Sequence, residues 1–386
     1  MSTEEHQEQG FETLAIHAGS EPDPATGAVV PPISLSTTFA QHGVAQHQGW
    51  EYARSGNPTR AGLEACVAAL EGAAHGFAFA SGLAAEDAIL RLLDEGEGVV
   101  LGDDAYGGTY RLIHKVHGPA GHPWHAVDLT DPARLADKWP DDARMVWLET
   151  PTNPALRIVD IAAVAEIAHD HEAIVVVDNT FATPYLTRPL GHGADVVVHS
   201  STKYLGGHSD VVGGFVALDH DATAERIGFL QNAVGAVPSP FDCYLIQRGV
   251  KTLAIRMDRQ CANARAVAEL LHSHPAVDRV LWPGFDDHPG HDVAKRQMRD
   301  FGGMVSFTLR GGEAAAVKVC EATRLFTLAE SLGAVESLIE HPARMTHASA
   351  ADSALAVDPA LVRLSVGIES IDDLTSDLAK ALAATH

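Results

Sequence analysis

Long apolar runs are missing from this sequence: no stretch approaches the roughly 20 residues that a membrane-spanning helix needs. Positive charge is scarce as well. Among 386 residues, 27 Lys and Arg face 51 Asp and Glu, a formal charge of −24. That balance argues against a nucleic-acid surface, whose partner is itself a polyanion. An anionic substrate would need a local cluster of Arg and Lys working against the global field. Cysteine is rare, and the four residues Cys66, Cys243, Cys261 and Cys320 form no C-x-x-C pair. They read as reduced core residues rather than a disulfide framework. Internal repeats and low-complexity tracts are absent. The opening MSTEEHQEQG is polar and acidic rather than basic then apolar, so no secretory or transit leader is expected and the expected location is cytoplasmic.

Histidine is plentiful, at 22 residues. His114/His117, His122/His125 and His288/His291 have H-x-x-H spacing, but at this abundance such pairs arise by chance, and no metal is expected. The length exceeds one ordinary core, which predicts more than one domain. Residues 1–55 carry the proline-rich PDPATGAVVPPIS and no long periodic pattern; they read as an arm that gains order by lying on something else. Residues 56–250 alternate helical stretches with short β-branched runs. RAGLEACVAALEG is helical and HGFAFAS a strand; AAEDAILRLLDEG is helical and GVVLGD a strand. MVWLET, IAAVAEIAHDHE and AIVVVDNT follow as strand, helix and strand, then ADVVVHSS and GGFVALD as strands. Fully apolar strands separated by helices predict an α/β domain with a mainly parallel sheet. Residues 251–386 change texture to a long helix followed by GGMVSFTLR and VRLSVGIE, a smaller α+β domain.

One lysine stands out. Lys203 follows the valine run of ADVVVHSSTKYLGGHSD, where an isolated lysine would simply snorkel to solvent. It is not isolated: Asp178 ends the strand of IVVVDNT, and Ser81-Gly82 opens a helix. In parallel sheets ligands bind beyond the carboxyl ends of strands, so acid, lysine and helix start predict one crevice. Each suits a part of pyridoxal phosphate. An amine forms an imine with the aldehyde, and partial desolvation makes a lysine the better nucleophile. A carboxylate keeps the pyridine nitrogen protonated. A helix N-terminus with glycine, aided by the hydroxyls of Ser200 and Thr202, suits the phosphate.

Eight separated segments carry a wider resemblance: EYARSGNPTR, FASGLAA, DDAYGGTYR, WLETPTNP, VVDNTF, HSSTKYLGGHSDVVGG, FTLAESLGAVESL and VRLSVGIE. They resemble the Cys/Met-metabolism branch of fold-type I pyridoxal-phosphate enzymes, the aspartate-aminotransferase-like fold, over nearly the whole chain. The resemblance implies that Lys203 is the imine lysine and Asp178 the pyridinium partner. It implies that Gly82, the backbone of Leu83, Ser200 and Thr202 cradle the phosphate and that Tyr106 stacks on the ring. Tyr52 and Arg54 match phosphate ligands donated across a subunit interface, which implies an obligate dimer and, for this family, a homotetramer. Arg363 matches the arginine that grips the substrate α-carboxylate in a bidentate way, a geometry lysine cannot mimic. Asn153 and the backbone of Ser331 assist it, and Arg111 is a further substrate candidate. Leu83 stands where many members have methionine, and Ser201 where alanine is frequent.

The implied chemistry removes the Cα proton and then a Cβ proton, so that a γ-substituent leaves. Lys203 is the implied base, and Tyr106 assists leaving-group protonation or substrate activation. Glu51 and Glu330 are assigned to a distal substrate ammonium. YGGT at 106–109 lacks the cysteine that methionine γ-lyases carry there. PPISLSTTF, GAVPSPFDCYLIQRGVKTL and AESLGAVESL read closer to cystathionine γ-lyases, so the expected reaction is elimination of cystathionine to cysteine, 2-oxobutanoate and ammonia. Cystathionine γ-synthase, joining an O-acylhomoserine to cysteine, is the alternative. A nucleotide-binding α/β protein leaves the Asp178 and Lys203 pair unexplained and lacks a G-x-x-x-x-G-K-[ST] loop. A non-catalytic relative is disfavoured because no catalytic position is missing.

Overall fold

The computed structural model describes residues 9–347 and 355–384; residues 1–8, on which the expectation about a leader mostly rests, lie outside the described residues. Among the described residues the strands are β1 (His75–Phe79), β2 (Gly98–Gly102), β3 (Trp124–Val127), β4 (Ala143–Glu149), β5 (Ile174–Asp178), β6 (Val196–Ser200), β7 (Gly214–Leu218), β8 (Val277–Leu281), β9 (Met304–Leu309), β10 (Thr327–Leu328), β11 (Leu338–Glu340) and β12 (Leu361–Ser365). None of the described helices is long and apolar enough to cross a membrane. The chain divides into two compact units, Met1–Leu92 with Asp195–Ala254 and Leu93–Ala194 with Ile255–His386.

In the first unit β7 pairs antiparallel with β1 on one side and β6 on the other. Both pairings differ from the parallel arrangement predicted for apolar strands. The reason lies in the connection: residues 201–213 between β6 and β7 form turns and bends rather than a helix, and parallel neighbours need a longer crossover. Helix α1 (Phe11–His17) precedes α2 (Pro58–Glu71), which begins as its sequence dictates. Asn57 accepts the N–H groups of Thr59 and Arg60, Pro58 takes the first position, and Gly72 at φ 74° ends the helix. Its face of Leu63, Cys66, Val67 and Leu70 is fully buried, each large side chain contributing about 1.5–3 kcal/mol. Helix α3 (Gly82–Leu90) follows β1.

The second unit holds the parallel sheet that the sequence predicts. β4 pairs parallel with β5 and with β2, and β2 with β3. Its strands are joined by helices α4 (Gly107–Leu112), α5 (Pro132–Asp137) and α6 (Ile161–Asp170). Val146, Leu148, Val175 and Val177 pack with Ile161, Val164 and Ala168 of α6. The same unit carries a second sheet in the order β10-β11-β12-β9-β8, mixed because β10 and β11 run parallel while the others pair antiparallel. Its register sets Arg363 on β12 opposite Glu340 on β11 and Ser306 on β9. The fold is therefore α/β with mixed sheets.

Candidate active site

In the first unit, Ser200 ends β6 and Gly82 begins α3. A Cβ on Gly82 would lie 3.0 Å from Ser200 Cβ and 3.3 Å from its Oγ, so glycine alone leaves the space between them open. Ser81 caps the helix: its Oγ accepts the N–H of Ala84 at 3.1 Å, and its carbonyl accepts Ala85 N–H at 3.1 Å. The amides of Gly82 and Leu83 are the orphan donors of this turn, at the positive end of the helix. A helix start with free amides and glycine-opened space has the chemistry that favours an anion.

Lys203 is half-buried in the turn after β6. Its amide donates to Ser200 O at 3.1 Å and its carbonyl accepts from Gly207 at 2.8 Å, so its backbone is fixed relative to the end of β6. The Thr202 hydroxyl donates to Gly213 O at 3.2 Å and accepts Gly213 N–H at 3.0 Å. Thr202 thus pins residues 202 and 213 of this loop together. Behind Ser200, His199 Nε2 lies 2.5 Å from Glu71 Oε1, each side chain no more than 1% exposed; sequence reasoning missed both.

Glu51, Tyr52 and Arg54 are not buried on this chain. The Arg54 guanidinium lies 5.6 Å from the centre of the Tyr52 ring, and its Nη1 donates to Asn232 O at 2.6 Å and Oδ1 at 2.9 Å. Buried Arg60 donates to the carbonyls of Ala53 and Arg54 at 3.0 and 3.2 Å, which sets the loop that presents them.

In the second unit, Asp178 ends β5 and its Oδ1 accepts Thr180 N–H at 2.9 Å. Tyr106 precedes α4, and its amide donates to Glu149 Oε1 at 2.7 Å. A Cβ on Gly108 would lie 2.2 Å from the Tyr106 ring, and one on Gly107 2.7 Å from Thr346 O. The two glycines of DDAYGG are therefore demanded by the ring that lies over one and the backbone that crosses the other. Arg111, on α4, is exposed.

Arg363 is the most closely held of the candidates. Its Nη1 donates to Asn153 Oδ1 at 2.7 Å and its Nη2 to Ser331 O at 3.0 Å. Nη1 also lies 3.1 Å from Glu340 Oε1, with both side chains 2% exposed. Ser331 presents its carbonyl from a φ of 91°, a backbone region that non-glycine residues enter only under constraint. Nε is buried with no hydrogen-bond partner. A guanidinium has five donors, so Nε–H and the second Nη2–H, which share one edge, remain for a carboxylate. Asn153 sits before a cis bond to Pro154, whose carbonyl accepts from Ser306 Oγ at 2.7 Å. Glu330, beside Ser331, is exposed.

Two further groups were not foreseen. Thr346 Oγ1 lies 2.8 Å from Glu340 Oε1 and 2.9 Å from His347 Nδ1. His347 Nε2 lies 3.2 Å from Asn153 O, so Nε2 carries the hydrogen. Burial, with Arg363 adding to it, lowers the His347 pKa to about 4 against the pull of the Asn153 and Ala105 carbonyls.

Comparison with known proteins gives these geometries a context. The family model for Cys/Met metabolism PLP-dependent enzymes matches residues 12–383. Cystathionine gamma-synthase of Mycobacterium tuberculosis is 56% identical over 99% of this chain and 100% of its own. Cystathionine gamma-lyase of Sus scrofa is 50% identical over 98% of this chain and 95% of its own. The crystal structure of metB from Corynebacterium glutamicum superposes with a TM-score of 0.98 at 53% identity, covering 99% of this chain and 100% of that one. A glycine-opened helix start, a loop-fixed lysine and a caged arginine are thus found in a chain that belongs to the pyridoxal-phosphate-dependent enzymes of cysteine and methionine metabolism.

Proposed function

We propose that this enzyme catalyses γ-replacement: an O-acylhomoserine and cysteine give cystathionine and the free carboxylate of the acyl group. The observation that carries the reading is the full-length identity of 56% to a γ-synthase, against 50% to the pig γ-lyase. This reverses the order expected from the short specificity segments. Elimination of cystathionine to cysteine, 2-oxobutanoate and ammonia is the second reading, favoured by that γ-lyase likeness and by those segments.

Pyridoxal phosphate, when bound, supplies an aldehyde and a ring that accepts electrons. The residues present fit it. The Gly82 and Leu83 amides with Ser200 would hold the phosphate, with Thr202 sharing its proton. Lys203 Nζ would hold the aldehyde, and Asp178 the proton of the ring nitrogen. Tyr52 and Arg54 would complete the phosphate contacts of a neighbouring chain, within a dimer and a tetramer of two dimers. Arg363, kept in place by Asn153 and Ser331, would bind the substrate α-carboxylate and so fix Cα for proton removal at Lys203 Nζ. Tyr106 would stack on the ring and move a proton at its hydroxyl. Glu51 and Glu330 would receive the ammonium of the incoming cysteine, and Arg111 would add a contact to the substrate.

The test is a side-by-side assay. Cystathionine alone goes in one vessel, and O-succinyl- or O-acetylhomoserine with cysteine in the other. Cystathionine should form in the second far faster than cysteine is released in the first. The opposite ranking would make the enzyme a γ-lyase and leave the cofactor assignment standing.

A further inference from the structure

We propose that Glu340 is a positioning residue that sets Arg363 for the substrate α-carboxylate, and that Thr346 and His347 in turn fix Glu340. The proposal rests on the assignment of Arg363 made above.

The starting point is a charge problem. Arg363 and Glu340 are both 2% exposed, and a guanidinium buried that deeply is costly unless it is paired. Asn153 Oδ1 and Ser331 O satisfy hydrogen-bond geometry, but both are neutral and leave the charge uncompensated. Glu340 supplies the formal negative charge that meets it, at 3.1 Å from Nη1. Direct opposition across β11 and β12 brings the two side chains to one face of the sheet.

The consequence is directional. Glu340 occupies the Nη1 end, while the donors still available, Nε–H and one Nη2–H, lie on the other edge. The carboxylate side chain thereby selects which edge a ligand meets. Its own orientation is set in turn, because Thr346 Oγ1 lies 2.8 Å from Oε1 and 2.9 Å from His347 Nδ1. His347 Nε2 donates to Asn153 O at 3.2 Å, which leaves Nδ1 an acceptor, so Glu340 Oε1 and Nδ1 share the one Thr346 hydroxyl proton. With that shared proton the contacts run from Asn153 through Arg363, Glu340, Thr346 and His347 back to Asn153. The Coulomb term alone works against this account: removing the Glu340 charge raises the positive potential at Arg363 and should tighten carboxylate binding. Positioning predicts weaker binding. The sign of the change therefore separates the two.

The experiment uses the cofactor-loaded enzyme with Glu340→Gln, Glu340→Asp and Arg363→Lys. Calorimetry measures affinity for glycine, an α-amino acid without a γ-substituent, and for methylamine, which has no carboxylate. Glu340→Gln should weaken glycine roughly tenfold and leave methylamine unchanged within twofold. KM for the amino-acid substrate should rise by a similar factor with kcat within about threefold, and Glu340→Asp should recover part of the loss. Unchanged or tighter glycine binding in Glu340→Gln overturns the proposal, as does an equal loss for methylamine. If Arg363→Lys leaves glycine binding intact, the assignment of Arg363 fails instead. Should Glu340→Gln not fold, Thr346→Val carries the test: a loss of about threefold for glycine alone is expected, and no loss overturns the proposal.

Discussion

The amide of Tyr106 donates to the carboxylate of Glu149 at 2.7 Å, tying the start of α4 to the end of β4. Tyr106 lies between β2 and α4, and β2 pairs with β4 in the parallel sheet, so this hydrogen bond helps to set where the Tyr106 ring begins. Glu149→Ala removes the acceptor of a half-buried amide and should cost about 1–3 kcal/mol, read from the urea midpoint. Glu149→Gln keeps an acceptor oxygen and should lose less. In both variants kcat should fall more than KM rises; a Glu149→Ala enzyme with unchanged stability and turnover would show that the bond does not set the ring.

Gly82→Ala tests the phosphate seat without touching a hydrogen-bonding side chain. The added methyl would stand 3.0 Å from Ser200 Cβ, so Ser200 must give way by a few tenths of an ångström. Pyridoxal phosphate should bind about tenfold more weakly on reconstitution of the unloaded protein, whose melting temperature should stay within a few degrees. Full affinity would mean that the phosphate lies elsewhere.

Lys203→Ala should abolish turnover, and borohydride should no longer fix the cofactor to the peptide that contains residue 203, as mass spectrometry would report. Arg54 is bonded to Asn232 of its own chain near the surface, leaving it able to serve a neighbour. Co-assembled Lys203→Ala and Arg54→Ala chains should then regain part of the activity that each homogeneous variant lacks. No regain in verified mixed assemblies would mean that each site is built within one chain.

Acid should destabilise the fold through two histidines. Burial lowers the pKa of both His347 and His288 to about 4 from 6.5. A base whose folded pKa is depressed leaves the unfolded chain binding more protons between those values. Its stabilisation is whole above pH 6.5 and is lost as the pH falls towards 4, on the order of 3 kcal/mol for each residue, of which about 2 kcal/mol is gone by pH 5. Urea midpoints at pH 7.5 and pH 5 should differ accordingly, and His347→Gln should flatten the slope.

All four cysteines are buried, and burial pushes each thiol up to about 12. The thiolate is the reactive form. A colorimetric thiol reagent should therefore find essentially no reactive cysteine in the native enzyme and four after denaturation, and rapid native labelling would contradict the burial.

Much of this was legible from residue order because the relevant information is local. The β-branched runs give β2, β4, β5, β6 and β7, Asn57-Pro58 and Gly72 bracket α2, and Asp178 and Lys203 are visible where valine runs stop. Strand direction in the first unit was not legible, since an apolar run reads alike in parallel and antiparallel sheets and only the helix-free connection tells them apart. The buried carboxylates were missed for a different reason. Glu149 and Glu340 end apolar strands, where an acid reads as the point at which the chain meets water. The partners of two buried carboxylates lie far along the chain: Tyr106 is 43 positions from Glu149, and His199 is 128 from Glu71. No periodicity encodes such distances.

The pairing of Glu340 with Arg363 across β11 and β12 also bears on how the chain finds its fold. Side chains alternate between faces along a strand, so a slip of one residue would carry Arg363 to the opposite face. Glu340 would then stand opposite Val362 or Leu364 rather than a cation. Each charge would be stranded in an apolar layer, a penalty of several kcal/mol. The ion pair thus makes the native alignment of β11 and β12 the one register that leaves neither charge stranded.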